Sequence, residues 1–211
     1  MKRYVTEFIG TFFLVLTVCL TAGAGSPFAP VAIGAALMVM VYMGGPISGA
    51  HYNPAVSIAA LLCRKLPGPD LVPYFVAQLA GAVAAAVVGD WVLGNPFAPA
   101  PAPTSTIFQV LAVEFFYTFA LCLVVLNVAT SKRTAGNSYF GLAIGFTITA
   151  GAFAGGPASG GAFNPAVGLG PILVAAVVAK GSLANAWFYV VGPILGAVAA
   201  SRVFEMQESG A

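Results

Sequence analysis

"HYNPAVSIAALLCRK", residues 51–65, opens on an asparagine–proline pair and closes on two cations, and its core word NPAV returns at residues 164–167. Asparagine is a favoured helix N-cap and proline a favoured first helical residue, so Asn53-Pro54 reads as the start of a helix. Arg64 and Lys65 suit the negative C-terminal end of that helix. About 11 residues at 1.5 Å each give roughly 16 Å, half of the ~30 Å apolar thickness of a bilayer. Asn164-Pro165 starts a second such segment, running out to Lys180. A lone Asn-Pro can cap a surface helix, as Asn95-Pro96 is expected to do. Two copies in matching surroundings read instead as paired half-spans that enter the membrane and turn back.

Composition places the chain in lipid. Of 211 residues 60% are hydrophobic and 7% charged, and the mean hydropathy is +0.97, against roughly 25% charged residues in an ordinary soluble domain. Residues 8–63 and 134–179 carry no Asp, Glu, Lys or Arg, and each run is far longer than the ~20 residues one spanning helix needs. Spans are expected near 4–24, 29–46, 71–93, 107–129, 138–155 and 183–204. The basic, apolar start could pass for a secretory signal. A retained first helix is the reading adopted, because the apolar pattern runs to Gly23 with no polar mature region after it.

Six spans return both termini to one side, with Lys2, Arg3, Arg64, Lys65, Lys132, Arg133 and Arg202, leaving Lys180 opposite. The positive-inside rule makes the crowded side cytoplasmic. A net charge of +2 offers no basic patch for nucleic acid. Cys19, Cys63 and Cys122 lie in apolar segments and read as buried small hydrophobes, not as a metal site or disulfide framework.

An internal repeat decides the architecture. Residues 32–56 and 143–167 align without a gap at 12 of 25 positions. "TEFIGTF" from Thr6 matches "VEFFYTF" from Val113, and "AQLAGA" from Ala77 matches "GPILGA" from Gly192. One unit of three spans is therefore written twice, over 1–93 and 107–211, joined by an external proline-rich connector, 94–106. Three is odd, so the second copy enters from the opposite face: an inverted repeat. The expected fold is an all-α membrane protein, a single domain over 1–211 with six transmembrane helices and two re-entrant half-helices.

If the half-helices meet at mid-membrane, the non-helical stretch before each Asn-Pro is tolerated only where protein buries it or it lines a watery passage. Two positive helix ends and the amide donors of Asn53 and Asn164 then face that passage, repelling cations and interrupting a proton wire. Neutral molecules pass. Glu7 and Glu114 occupy matching positions. A proton relay is one reading of intramembrane carboxyls; loop scaffolding, accepting backbone N–H groups, is favoured, because a relay needs further ionisable groups. His51 is the one other candidate. It is expected to pin the first loop, since the second copy has Ala162 there. Gln78 is expected to bond between helices.

Together, "SGAHYNPAVS", "SGGAFNPAV", the Glu7 and Glu114 segments and the "AQLAGA"/"GPILGA" pair resemble the major intrinsic protein family, the aquaporins and glycerol facilitators, over nearly the whole chain. The resemblance implies an aquaporin-like fold, a homotetramer with one pore per subunit, and Asn53, Pro54, Ala55, Asn164, Pro165 and Ala166 at the pore centre. It puts the outer constriction at Ile33, Ala152, Gly161 and Val167. The family usually has arginine where Val167 stands, although some plant vacuolar members have valine. Glycerol facilitators usually follow that arginine with aspartate, whereas this chain has Gly168.

The resulting expectation is a passive channel in the cell membrane for water and small uncharged solutes. The bare constriction is expected to extend the range to ammonia, hydrogen peroxide or urea. A proton-coupled small-solute transporter, which also uses inverted repeats and broken helices, and a glycerol facilitator are the alternatives. One histidine and six acids leave too few groups for an active site, and no cofactor is expected.

Overall fold

The computed structural model describes residues 1–209. Its α-helices are α1 (Lys2–Ala22), α2 (Ala29–Ser48), α3 (Pro54–Leu62), α4 (Leu71–Leu93), α5 (Ile107–Thr130), α6 (Phe140–Ser159), α7 (Pro165–Val178) and α8 (Phe188–Glu208), with 3₁₀ turns at Gly68–Asp70 and Lys132–Thr134. Six are long and apolar enough to cross a membrane. The two that begin on Asn-Pro are not: α3 has 9 residues and α7 has 14, about 13 and 21 Å at 1.5 Å per residue.

Helix ends depart from the sequence expectation in a patterned way. Spans two and five, expected to stop near residues 46 and 155, run on through Pro46 and Pro157 to Ser48 and Ser159. A proline is tolerated in a membrane helix where surrounding protein takes up the freed backbone groups. Both helices end instead at glycines in the left-handed region, Gly49 (φ 85°) and Gly160 (φ 91°), the usual helix C-terminal device. The last span starts at Phe188, not residue 183. Local bonds, Ser182 Oγ accepting from the Ala184 amide at 3.1 Å and the Leu183 carbonyl accepting from Ala186 at 3.0 Å, hold a turn ahead of it.

The repeat is visible in the packing. α1 lies against α4 as α5 lies against α8, and α2 crosses α6 between the two halves. That crossing is close because Gly34 and Gly145 face each other: a Cβ on Gly145 would collide with the Gly34 carbonyl oxygen. Small residues let membrane helices approach in this way. The half-helices are exchanged, α3 packing on α5 and α8 and α7 chiefly on α4, so each half holds the other's re-entrant segment.

At one end Arg3 pairs with Asp70 at 3.1 Å, Arg133 with Glu208 at 2.8 Å, and Lys65 Nζ donates to the Thr130 carbonyl at 3.1 Å. The outer faces of the long helices carry exposed Val76, Val87, Phe116 and Phe146, as lipid-facing surfaces require.

Candidate functional site

The N-termini of α3 and α7 meet inside the bundle. Asn53 and Asn164 each cap their own helix in extended conformation, their Oδ1 atoms accepting from Ala55 N at 2.8 Å and Ala166 N at 2.9 Å. Each also reaches across. Asn53 Nδ2 donates to the Phe163 carbonyl at 3.0 Å, and Asn164 Nδ2 donates to the Tyr52 carbonyl at 2.9 Å. The sequence reading has each of these amides offering an N–H toward the passage. In fact one hydrogen of each holds the opposite loop, and a side-chain amide has a second to offer.

The residue before each asparagine is strained to make this possible. Tyr52 and Phe163 both sit at φ 49°, and Ala50 at φ 51°, a region that costs of order 1–3 kcal/mol for such residues unless the surroundings enforce it. The enforcing groups are two carboxyls. Glu7 accepts from Ser48 Oγ at 2.7 Å, His51 N at 3.0 Å, Tyr52 N at 2.7 Å and Gln78 Nε2 at 2.8 Å. Glu114 accepts from Ser159 Oγ at 2.8 Å, Ala162 N at 3.1 Å and Phe163 N at 2.7 Å. Both are fully buried. Each loop thus directs its last two backbone donors into one buried carboxyl group, while the amide ahead of them, Ala50 or Gly161, donates to the Oγ of Ser48 or Ser159.

Matching tyrosines complete each bracket, Tyr74 OH donating to the Ser48 carbonyl at 2.6 Å and Tyr189 OH to that of Ser159 at 2.7 Å. The copies then diverge. In the first, His51 Nδ1 lies 3.0 Å from Ser57 Oγ, which also accepts from Gln78 Nε2 at 3.0 Å and donates to the Asn53 carbonyl at 3.2 Å. Counting donors, Ser57 has one lone pair left, so His51 carries its proton on Nδ1 and keeps Nε2 as an acceptor. The second copy has Ala162, Gly168 and Pro193 at these three places, and the cluster is lost as a set.

One narrow cavity runs past all of this. Asn53, Asn164 and His51 line it, together with Ile33, Ala152, Gly161 and Val167 and an aliphatic wall that includes Leu37 and Ile148. Its volume, counted as room for the centres of water molecules, is about 30 Å³, against the roughly 10–15 Å³ that one water needs by that measure. Pro54, Ala55, Pro165 and Ala166 do not line it; they form the first turns of α3 and α7 behind the asparagines. At His51, Val125 and Ile144 the cavity meets a wider vestibule of about 750 Å³ on the side of Arg3 and Lys65.

Gly168 faces away from that cavity, where a Cβ would collide with Tyr189 Cβ; as packed, there is no room for an aspartate. Sequence reasoning missed Ser48, Ser57, Ser159, Tyr74 and Tyr189. The signal existed for four of them: Ser48/Ser159 fall in the aligned repeat, and Tyr74/Tyr189 precede the AQLAGA/GPILGA pair at equal spacing.

A family model described as major intrinsic protein matches residues 1–204. Aquaporin NIP1-1 of Oryza sativa subsp. japonica is 37% identical over 216 residues, covering 98% of this chain and 74% of that protein. Nodulin-26 of Glycine max is 35% identical over 217 residues, covering 98% and 78%. The X-ray structure of the aquaglyceroporin from Plasmodium falciparum superposes with a TM-score of 0.86 over 96% of this chain and 94% of that one, at 24% identity, a likeness of fold. With this helix order and two asparagine-capped half-helices meeting in the bundle, the chain belongs to the major intrinsic protein family.

Proposed function

We propose that the chain is a passive channel for water and small uncharged solutes, with ammonia, hydrogen peroxide and urea among them, and that it turns back ions and protons. The observation that carries this reading is the meeting of two capped half-helix N-termini on one continuous narrow cavity. Positive helix ends raise the energy of a cation there. A water bonded by donors from both sides presents its oxygen to each, so a proton cannot be handed straight through.

Selectivity is assigned to Ile33, Ala152, Gly161 and Val167, which supply no charge and no side-chain donor. Without an arginine the constriction keeps neither a fixed cation nor its rigid donor fork, and solutes bulkier or less polar than water gain access. Glu7, Glu114 and His51 are read as scaffolding for the loops, because the bonds they make are directed into loop backbone and neighbouring side chains rather than along the cavity. The proposal includes both termini on the cytoplasmic face of a cell membrane, which the charge asymmetry supports, and a homotetrameric working form, which family likeness supports.

Stopped-flow light scattering of proteoliposomes, with gradients of water, glycerol, urea and ammonia in turn, tests the reading. Fast water flux with entry of urea or ammonia, and no accumulation above equilibrium under a pH gradient, is expected. Uphill, proton-driven accumulation establishes a coupled transporter instead. Glycerol is the alternative cargo of the same pore, favoured by the small Ala152 side chain and the bare backbone of Gly161, and its flux is read in the same series.

A further inference from the structure

The connector between the halves is seated on the molecule in one particular place. Residues 94–106 form no helix, and four prolines, at 96, 99, 101 and 103, stiffen them. Pro99 is buried, Phe97 and Ala98 pack on the hydrophobic core, and Ala102 N donates to the Ala158 carbonyl in the last turn of α6 at 3.1 Å. The backbone of Ala100 passes so close to Gly160 that a Cβ there would lie 2.9 Å from the Ala100 oxygen and 3.0 Å from its nitrogen. Gly160 is followed by Gly161, which lines the pore cavity.

The matching place in the first copy has no such cover. A Cβ on Gly49 would meet only the ring of His51, at 3.3 Å, and that loop opens on the vestibule. The second loop is therefore held from two sides: from within by Glu114, and from outside by the connector. Gly161 itself has no side chain and carries φ 65°, so the wall it forms is bare backbone whose position depends on what backs it.

We propose that the connector, through Ala100 and Ala102, is a specificity-determining strap. It fixes the backbone of Gly160 and Gly161 and so sets the width of the outer constriction. This rests on the channel reading above and on the assignment of Gly161 to the constriction. The residues concerned are positioning residues: they act on solutes through the Gly160–Gly161 backbone. Four prolines suit the task, since a pre-stiffened segment loses little further freedom when seated.

The test compares the native chain with Ala102→Pro, which removes the donor to Ala158, and with Pro101→Gly, which only loosens the strap. Glycerol and urea permeabilities are each divided by water permeability in the same vesicles, so water flux reports a folded channel and the ratio reports the strap. Both ratios are expected to rise at least about threefold in either variant, of the order that a small change in pocket size gives. Unchanged ratios in a variant that conducts water overturn the strap and leave the channel reading standing; absence of water flux in the native chain overturns the channel reading itself. Hydrogen exchange on the native chain gives a check that needs no variant. The Ala102 amide is expected to exchange at least about a hundredfold more slowly than an open loop, and exchange at open-loop rates overturns the seating.

Discussion

Tyr52 and Phe163, one from each copy of the repeat, adopt the same left-handed backbone at φ 49° and aim their carbonyl oxygens at the opposite half's asparagine, at 2.9 and 3.0 Å. The half-helices are thereby tied to each other at the one level where both begin. Four consequences can be measured.

Asn164→Ala removes both the cap of α7 and the tie to Tyr52. Loss of an N-cap alone costs about 0.5–2 kcal/mol, and the Tyr52 carbonyl is orphaned besides. The melting temperature in detergent is expected to fall and water permeability in vesicles to drop severalfold. A variant equal to the native chain in both would separate the tie from the pore.

Glu114→Gln keeps the shape of the side chain but turns one of its acceptor oxygens into a donor. Three donors converge on Glu114, so at least one of them is left facing another donor in a buried place. An orphaned buried group costs about 1–3 kcal/mol, and a lower melting temperature is expected. A proton relay predicts the reverse signature, intact stability with loss of any proton-driven uptake.

Val167→Arg places a cation and a donor fork against a wall that is otherwise aliphatic or bare. Urea permeability is expected to fall about tenfold because of its bulk, and ammonia permeability with it because a fixed cation and its donors favour the more polar water, while water flux falls far less. Equal loss of all three would move the selectivity step elsewhere along the cavity.

Gly168→Asp tests why the residue after Val167 is glycine. Its Cβ would collide with that of Tyr189, and overpacking of this kind costs about 1–3 kcal/mol. A melt shifted down, with little glycerol flux gained, is expected; a stable variant with new glycerol flux would mean that α7 can turn to present this position to the pore.

Much of this architecture was legible because lipid imposes a coarse grammar. Charge-free runs far longer than one span, and Asn-Pro at the head of a short apolar stretch, are local patterns that need no partner to be read. Helix ends at Ser48 and Ser159 were not legible, since Pro46 and Pro157 argue locally for a stop and only the surrounding bundle overrules them. The Ser57–Gln78–His51 cluster was hidden for a related reason: Gln78 lies 21 residues from Ser57, and nothing in either neighbourhood names the other. Glu7 and Glu114 stood out as carboxyls in apolar helices, but their partners lie 41 to 71 positions away. The second hydrogen of each asparagine amide became meaningful only once the first had found its acceptor.

The reciprocal tie also imposes an order on biosynthesis. When the ribosome has delivered the first three spans, Asn53 has no acceptor to reach, because Phe163, 110 positions after it, has not yet been made. The leading copy must wait, half-assembled, in or beside the translocon until its sister arrives. Nonsense mutations upstream of codon 163 should yield fragments that quality control removes.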